Sequence, residues 1–345
     1  MKKKTVFILI AILIIWNVIL TVLLVNDKEV TPTVTEENVY GISTDLTKVV
    51  KDSYSSVVNV KSSFGKQTGF IYKQENNTAY IITTYHGIEK DNTITVTFAN
   101  GKSIAASPIG YDLLKDVAVL SIDTQYVLNV AKCGDNEYTK KGEFVICIGS
   151  SSDAKKANEV ELGIVSNNLV NIDDRLTIDK QQFNTQKEML ALSLNVNEGY
   201  SGSPVFNMKN EVIGMVQMGD EDGTYSLTIN EIKIIADKII SKTEYKKLDL
   251  GVKGRYIKEL EDYEKNMLNI SFETINGYYA EDISPNSLGS KLGILTGDVI
   301  VSINGTQITG QKDLLNCLYS NANDSITVIV NRANSQVELK GTIND

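Results

Sequence analysis

A single histidine, His86, occurs in the 345 residues. Metal sites built from several imidazoles are thereby excluded, and any imidazole chemistry has to pass through this one ring. Cysteine is nearly as scarce. Cys133, Cys147 and Cys317 are too few and too scattered for a disulfide framework or a zinc site. Cys147, inside Phe144-Val145-Ile146-Cys147-Ile148, reads instead as a small buried hydrophobe. Nothing in the pattern implies a metal ion or an organic cofactor. With 4 prolines and 24 glycines, collagen-like and low-complexity architectures are excluded as well. Basic residues are in deficit, 34 Lys and Arg against 43 Asp and Glu. No dense basic patch lies beyond the first four residues, which argues against nucleic acid as a partner.

One long apolar run is present. Lys2, Lys3 and Lys4 precede Val6–Val25, which is broken only by Asn17 and Thr21. As a helix rising about 1.5 Å per residue, that run reaches roughly 30 Å, one hydrocarbon thickness. It exceeds the core of a cleaved signal peptide, and Val25-Asn26-Asp27-Lys28 offers no small-residue cleavage pattern. Residues 1–25 are therefore expected to be cytoplasmic lysines and an uncleaved transmembrane anchor. The lysines orient it with the N-terminus inside and everything after Asn26 outside the cell membrane. With those three lysines set aside, 31 basic residues face 43 acidic ones, so the exported part should be soluble and should not cling to an anionic membrane.

Residues 26–45, rich in Thr, Glu and Asn, read as a linker. From about Leu46 the texture changes to short β-rich runs separated by turn signals. These are Val57–Val60, Gly69–Tyr72, Ala79–Thr83, Thr93–Phe98, Val117–Ile122, Phe144–Ile148, Gly163–Val165 and Val212–Val216. Asn100-Gly101 is a hairpin signal between two of them. So many short strands, with few helical patterns, predict a mainly β sandwich or barrel over residues 46–245. Ile232, Ile235, Ala236 and Ile239 recur at helical spacing and predict a closing helix over Glu231–Ser241. After the polar stretch Lys242–Lys247, residues 246–345 read as a compact α+β module. Its strands are expected at Tyr278–Ile283, Asp298–Ile303 and Ser325–Val330, and its helices near Ser287–Leu292 and Gln311–Tyr319.

The stretch Glu198-Gly199-Tyr200-Ser201-Gly202-Ser203-Pro204 encloses one hydroxyl between two glycines, with a proline three positions on. It is either a tight surface turn or a nucleophile on a bend whose amides face a substrate carbonyl. An acyl-transfer serine needs a base and a group that orients the base. Only His86, at the end of the run Ile81–Tyr85, can serve as an imidazole base; a lysine is the alternative. Asp116, just before the alternating strand Val117–Leu120, can be carried to a barrel mouth. Histidine, aspartate, serine is one of the chain orders in which such a triad occurs.

At these residues the chain resembles the HtrA (Deg) family of trypsin-like serine proteases. Thr68-Gly69-Phe70-Ile71 is similar to the family's S-G-F-I, Ile81–Gly87 to I-V-T-N-x-H-V, and Asp116–Leu120 to D-L-A-V-L. Leu162–Ser166 is similar to T-x-G-I-V-S. Asn197–Pro204 matches N-P-G-N-S-G-G-P at five of eight places. Asp282–Asp298, followed by Val299-Ile300-Val301-Ser302-Ile303-Asn304-Gly305, resembles a PDZ domain.

The resemblance implies a chymotrypsin-like double β-barrel followed by an α+β PDZ domain, behind the transmembrane helix. It implies His86 as general base, Asp116 as its orienting carboxylate and Ser201 as nucleophile. The amides of Gly199 and Ser201 would form the oxyanion hole, with Gly202 leaving room for substrate. Asn195, six residues before Ser201 where trypsin-type pockets hold an Asp, marks a pocket without a buried counter-charge. Leu248, Leu250, Gly251 and Val252 fall on the family's carboxylate-binding loop. The implied function is a membrane-anchored, extracytoplasmic endopeptidase of stress response and protein quality control. It would cleave unfolded polypeptides, with the PDZ domain binding C-terminal peptides. A homotrimer is implied, to which Tyr40 could contribute.

The departures are Glu198 for proline, Tyr200 for asparagine, Ser203 for glycine and Gly87 for valine; none removes a reacting group. Three alternatives stand beside the main reading. They are a catalytically weak pseudo-protease that binds peptides, a regulatory protease for one signalling partner, and a Ser-Lys hydrolase. Asp153–Glu159 and Ile172–Lys187 are polar enough to be expected as switchable loops.

Overall fold

The computed structural model describes residues 46–343 except 92, 151–157, 179–180, 198, 221–222, 245–247, 321–324 and 334; the side chains of 174–184 and 220 are also left undescribed. The expected anchor, linker and Tyr40 lie outside these residues, as does most of Asp153–Glu159. Among the described residues no helix is long and apolar enough to cross a membrane.

A first helix, α1 (Leu46–Ser53), leads into β1 (Val57–Ser62), β2 (Gly65–Glu75), β3 (Thr78–Thr83), β4 (Ile94–Phe98), β5 (Ser103–Asp112) and β6 (Val117–Asp123). These strands close a barrel in the order β1-β2-β3-β6-β5-β4. The Asn100-Gly101 signal joins β4 to β5, with Gly101 at φ +80°. A second barrel closes in the order β10-β11-β12-β9-β8-β7. Its strands are β7 (Phe144–Gly149), β8 (Glu159–Ile178), β9 (Gln181–Leu192), β10 (Pro204–Asn207), β11 (Val212–Asp220) and β12 (Gly223–Thr228).

Strand alternation decides which core each residue joins. In β3, Ile81 fills the first barrel, whereas Ile82 turns outward onto the second. In β6, Ala118 and Leu120 face inward while Val117 and Val119 join Ile82. A strand with a core on both faces reads as an unbroken apolar run, which is how β6 appears in the sequence. The layer between the barrels gathers Phe70, Ile148, Phe206 and Met215. Each such side chain stabilises the fold by about 1.5–3 kcal/mol through removal from water. The closing helix α2 (Ile229–Ile240) begins two residues before its expected start and buries Ile232, Ile235 and Ala236 in that layer.

The described residues of Ile172–Lys187 do not form a loop. They lie in the β8–β9 ribbon, paired from Val165↔Leu192 out to Ile178↔Gln181. Its polar composition concealed the strands, because a two-stranded ribbon is held by backbone hydrogen bonds rather than by a buried face. Leu169 sits at a bulge in this ribbon with φ +56°, and its side chain joins the core of the C-terminal module.

That module contains β13 (Val252–Tyr256), α3 (Asp262–Met267), β14 (Tyr278–Ile283), α4 (Leu288–Leu292), β15 (Val299–Ile303), β16 (Thr306–Gln307), α5 (Gln311–Leu318), β17 (Ser325–Arg332) and β18 (Ser335–Thr342). The sheet order is β13-β14-β15-β17-β18, with β16 on β15. Buried Asp298 accepts Leu295 N–H and the Arg332 guanidinium at 2.7–2.8 Å, clasping the turn before β15 to β17. A bidentate pair of this kind is stronger than a neutral hydrogen bond and fixes the geometry of both partners.

Polar contacts bind the module to the second barrel. Gln311 of α5 accepts from Asn136 Nδ2 at 2.7 Å and donates to Glu188 at 3.1 Å, and Tyr256 donates to the same carboxylate. Tyr319 donates to Glu231 of α2 at 2.7 Å. Burial, and then the nearby Glu188 carboxylate, push the Glu259 carboxyl up to about 7. Stability attached to that carboxyl is complete below its ordinary 4.5 and is lost as pH rises through about 7. Glu259→Gln should therefore raise Tm at pH 8 and leave it nearly unchanged at pH 4.5. Thermal denaturation of both forms at both pH values checks this, and an equal shift at the two pH values contradicts it.

Candidate active site

His86 follows β3 in a turn anchored by buried neighbours. The Tyr85 ring stacks on Tyr111 at 4.0 Å between centroids, and Ile88 is buried. Gly87 leaves room for Gln67: a β-carbon there would crowd the Gln67 amide, which accepts from Thr84 Oγ1 at 2.6 Å and donates to the Thr84 carbonyl at 3.1 Å. The glycine that departs from the family's valine is thus matched by a glutamine filling its place.

Asp116 ends the turn between β5 and β6 in a left-handed conformation, φ +54°. Its side chain is 2% exposed and engages His86 twice. Oδ1 accepts the His86 backbone N–H at 2.8 Å, and Oδ2 meets Nδ1 at 2.7 Å. The imidazole itself is 37% exposed. An acceptor on Nδ1 selects the tautomer that carries its proton there, which leaves base chemistry to Nε2.

Ser201 lies on the loop entering β10. Gly199 and Gly202 both have left-handed backbones, at φ +100° and +85°, so the loop turns sharply on each side of the serine. A β-carbon at Gly202 would strike the Thr68 carbonyl, so the glycine allows close packing of the loop on β2. Gly202 N–H donates to Val216 O at 2.8 Å, and Val216 N–H returns to Ser203 O at 2.9 Å. Among the described residues, neither the Gly199 nor the Ser201 amide donates to a protein acceptor.

Thr68, fully buried in β2, ties the parts together. Its N–H donates to Ser201 O at 2.9 Å, its hydroxyl donates to Gly199 O at 2.8 Å, and its carbonyl accepts Thr83 Oγ1 at 2.6 Å. The hydroxyl also accepts Ser150 N–H at 2.7 Å. Gly69 pairs with Thr83, three residues before His86. The serine loop and the histidine turn therefore flank one stretch of β2. Sequence reading took Thr68 only as part of a motif; its long-range bonds leave no local signal.

Tyr200 drives its ring into the second-barrel core with Cys147 and Val205. Gly149 makes this fit, since a β-carbon there would strike the Tyr200 ring and approach Ser203 Oγ. Burial pushes the Tyr200 phenol and the Cys147 thiol well above their ordinary values, so both stay neutral. Asn195 is exposed rather than enclosed, while Leu194 is buried and Val196 approaches Gly219. Among the described residues no cluster of His, Cys, Asp and Glu suits a metal ion.

Leu248, Leu250, Gly251 and Val252 line a cavity of about 80 Å³ with Leu314 and Leu318 of α5. Gly251 has φ +63° and packs on Ser287. Two amides of this loop already have partners: Leu248 N–H donates to Leu318 O at 2.7 Å and Gly251 N–H to Asp249 Oδ1 at 2.9 Å. Lys115, Lys187 and Glu188 of the barrels complete the lining of the cavity.

Thr68→Val keeps the shape of the side chain but leaves the Gly199 carbonyl unpaired, at a cost of about 1–3 kcal/mol. We expect a lower Tm and slower labelling of Ser201 by a fluorophosphonate, with Thr68→Ser restoring both. Unchanged labelling in the valine variant contradicts the assigned role.

Comparison with known proteins agrees with this architecture. The trypsin-like peptidase domain family matches residues 67–215 and the PDZ domain family matches residues 279–332. The serine protease Do-like HtrA of Lactobacillus helveticus is 30% identical over 299 residues, 84% of this chain and 71% of that protein. Serine protease Do-like HtrB of Bacillus subtilis (strain 168) is 30% identical over 285 residues, 80% of this chain but 61% of that protein. Among solved structures, the HtrA-type protease AlgW with a tripeptide superposes with a TM-score of 0.59 at 19% identity, covering 86% of this chain and 95% of that one. Two barrels, a serine loop braced against a histidine turn, a PDZ module and this shared sequence lead to one assignment: the chain belongs to the HtrA-type family of serine proteases.

Proposed function

We propose that the chain is an active serine endopeptidase in which Ser201 attacks the scissile carbonyl, His86 takes and returns the proton, and Asp116 orients the imidazole. The observation that carries this reading is the 2.7 Å contact of His86 Nδ1 with Asp116 Oδ2, on a partly exposed ring that follows the strand tied through Thr68 to the Ser201 loop. As Ser201 Oγ bonds to the carbonyl carbon, its proton passes to Nε2, and the C=O π pair moves onto oxygen. The imidazolium so formed is stabilised by the buried carboxylate. The amides of Gly199 and Ser201 donate to the new oxyanion. The proton then goes from Nε2 to the leaving amine as the C–N bond breaks, and water repeats the cycle on the acyl-enzyme.

Lysine is a poor candidate for the base. Lys115 Nζ is directed to the Gln186 carbonyl and Glu231, and Lys187 Nζ to Gln217. Unfolded polypeptides are the proposed substrates, with small or medium aliphatic side chains favoured by the apolar surroundings of Leu194 and Val196. The loop at Leu248–Val252 is the proposed receptor for C-terminal peptides, by strand addition along β13. Anchoring by Val6–Val25, an extracytoplasmic location and a homotrimer complete the proposal; it rests on the apolar run, the lysines and the family.

The test is cleavage of unfolded casein by the full-length chain. Ser201→Ala and His86→Ala should each lower kcat by about 10⁴ or more, the loss expected when members of one unit are removed singly. Turnover by Ser201→Ala equal to that of the unmutated chain contradicts the assignment, and near-full activity in His86→Ala points to a lysine base instead.

A further inference from the structure

The turn that delivers Asp116 needs outside support. Its left-handed backbone is one an aspartate tolerates but does not favour. One short bond closes the turn from within, Lys115 N–H to Asp112 Oδ1 at 2.9 Å, but the backbone bonds of Asp116 are long: its N–H reaches Leu113 O at 3.3 Å, and Tyr85 N–H reaches Asp116 O at 3.4 Å. Shorter support comes from the other barrel. Gln217 of β11 donates through Nε2 to the carbonyls of Lys115 at 2.5 Å and Asp116 at 3.2 Å. The side-chain amide has two N–H bonds, and two consecutive carbonyls face them.

What keeps the amide from turning over is Lys187 of β9. Its Nζ donates to Gln217 Oε1 at 2.9 Å, and the lysine is 1% exposed. An ammonium can only donate, so it fixes the amide with oxygen toward β9 and nitrogen toward the Asp116 turn. Gln217 itself is 5% exposed. Buried polar groups of this kind are weak evidence for stability, since apolar residues of equal volume often serve as well. They define orientation, and here the group being oriented is the backbone that carries a carboxylate to an imidazole.

We propose that Gln217, oriented by Lys187, is a positioning residue for the His86–Asp116 pair: it holds the Lys115–Asp116 carbonyls so that the Asp116 carboxylate meets Nδ1. The inference deepens the protease reading, because it takes His86 and Asp116 as base and orienting carboxylate. It also makes the second barrel, which carries the nucleophile loop, a support for the base on the first.

One histidine makes the test direct. In the full-length chain labelled at histidine, a single imidazole contributes to the nuclear magnetic resonance spectrum. In the unmutated chain the Nδ1 proton, bonded to a carboxylate at 2.7 Å, should give a low-field, slowly exchanging resonance. Gln217→Leu removes the donor and should abolish that resonance. It should lower kcat and kcat/KM together by about tenfold or more, with KM nearly unchanged, the signature of a lost transition-state interaction. Gln217→Glu keeps an oxygen for Lys187 but cannot donate, and should show the same loss even if the leucine variant folds poorly. Lys187→Met frees the amide to turn and should give a smaller loss of the same kind.

A Gln217→Glu chain with the resonance and kcat of the unmutated protein overturns the proposal. A resonance that is present in the unmutated chain and lost in the variants, in a protein without turnover, supports the positioning while contradicting the protease reading. Its absence from the unmutated chain overturns both.

Discussion

The contact between His86 Nδ1 and Asp116 Oδ2 joins two turns of the first barrel, and much of the surrounding structure keeps those turns in place. A buried carboxylate is costly unless its oxygens are satisfied. Here both oxygens are used by one residue, Oδ1 by the His86 backbone and Oδ2 by its ring. Tyr85 stacked on Tyr111, and Gln67 in the space left by Gly87, fix the histidine turn from either side.

The second barrel contributes the serine loop, and Thr68 makes the two barrels one site. It bonds the loop at Ser201 and Gly199 while its carbonyl is held by Thr83, on the strand that leads to His86. The apolar layer containing Ile82, Phe206 and Met215 supplies the rigidity behind this seam. Side chains packed at interior density leave little freedom for one barrel to slide against the other. The PDZ module joins the same body through Gln311, Tyr319 and Leu169, near Lys115 of the first barrel and Lys187 of the second. Sites that look remote along the chain therefore share a few buried groups.

Strands with a clear hydrophobic pattern were legible in the sequence. Val117–Ile122 and Phe144–Ile148 coincide with β6 and β7 to within a residue at each end, and the helical spacing after Ile229 announces α2. Elements held by backbone pairing alone were not. The β8–β9 ribbon is polar along Ile172–Lys187, and β18, Ser335–Thr342, alternates between half-exposed and exposed residues on an edge. Motif order singled out His86, Asp116 and Ser201, and the structure puts the first two in contact with the third on an adjoining loop. Thr68, Gly149 and Gln217 were illegible for a different reason. Each acts on a partner about 50 to 130 residues away, through a side-chain bond to backbone or through a missing β-carbon. Asn195, at the spacing from Ser201 that marks a pocket base, is exposed, and burial alone does not single it out.

The central claim is spatial: one reacting centre must be reachable at once by Ser201 Oγ, by the imidazole, and by the amides of Gly199 and Ser201. A crystal structure of the chain after reaction with a fluorophosphonate tests it most directly. The account predicts phosphorus bonded to Ser201 Oγ, a phosphonyl oxygen between those two amides, and His86 still bonded to Asp116. A phosphonyl group on another residue, or one on Ser201 whose oxygen points away from both amides, would contradict it.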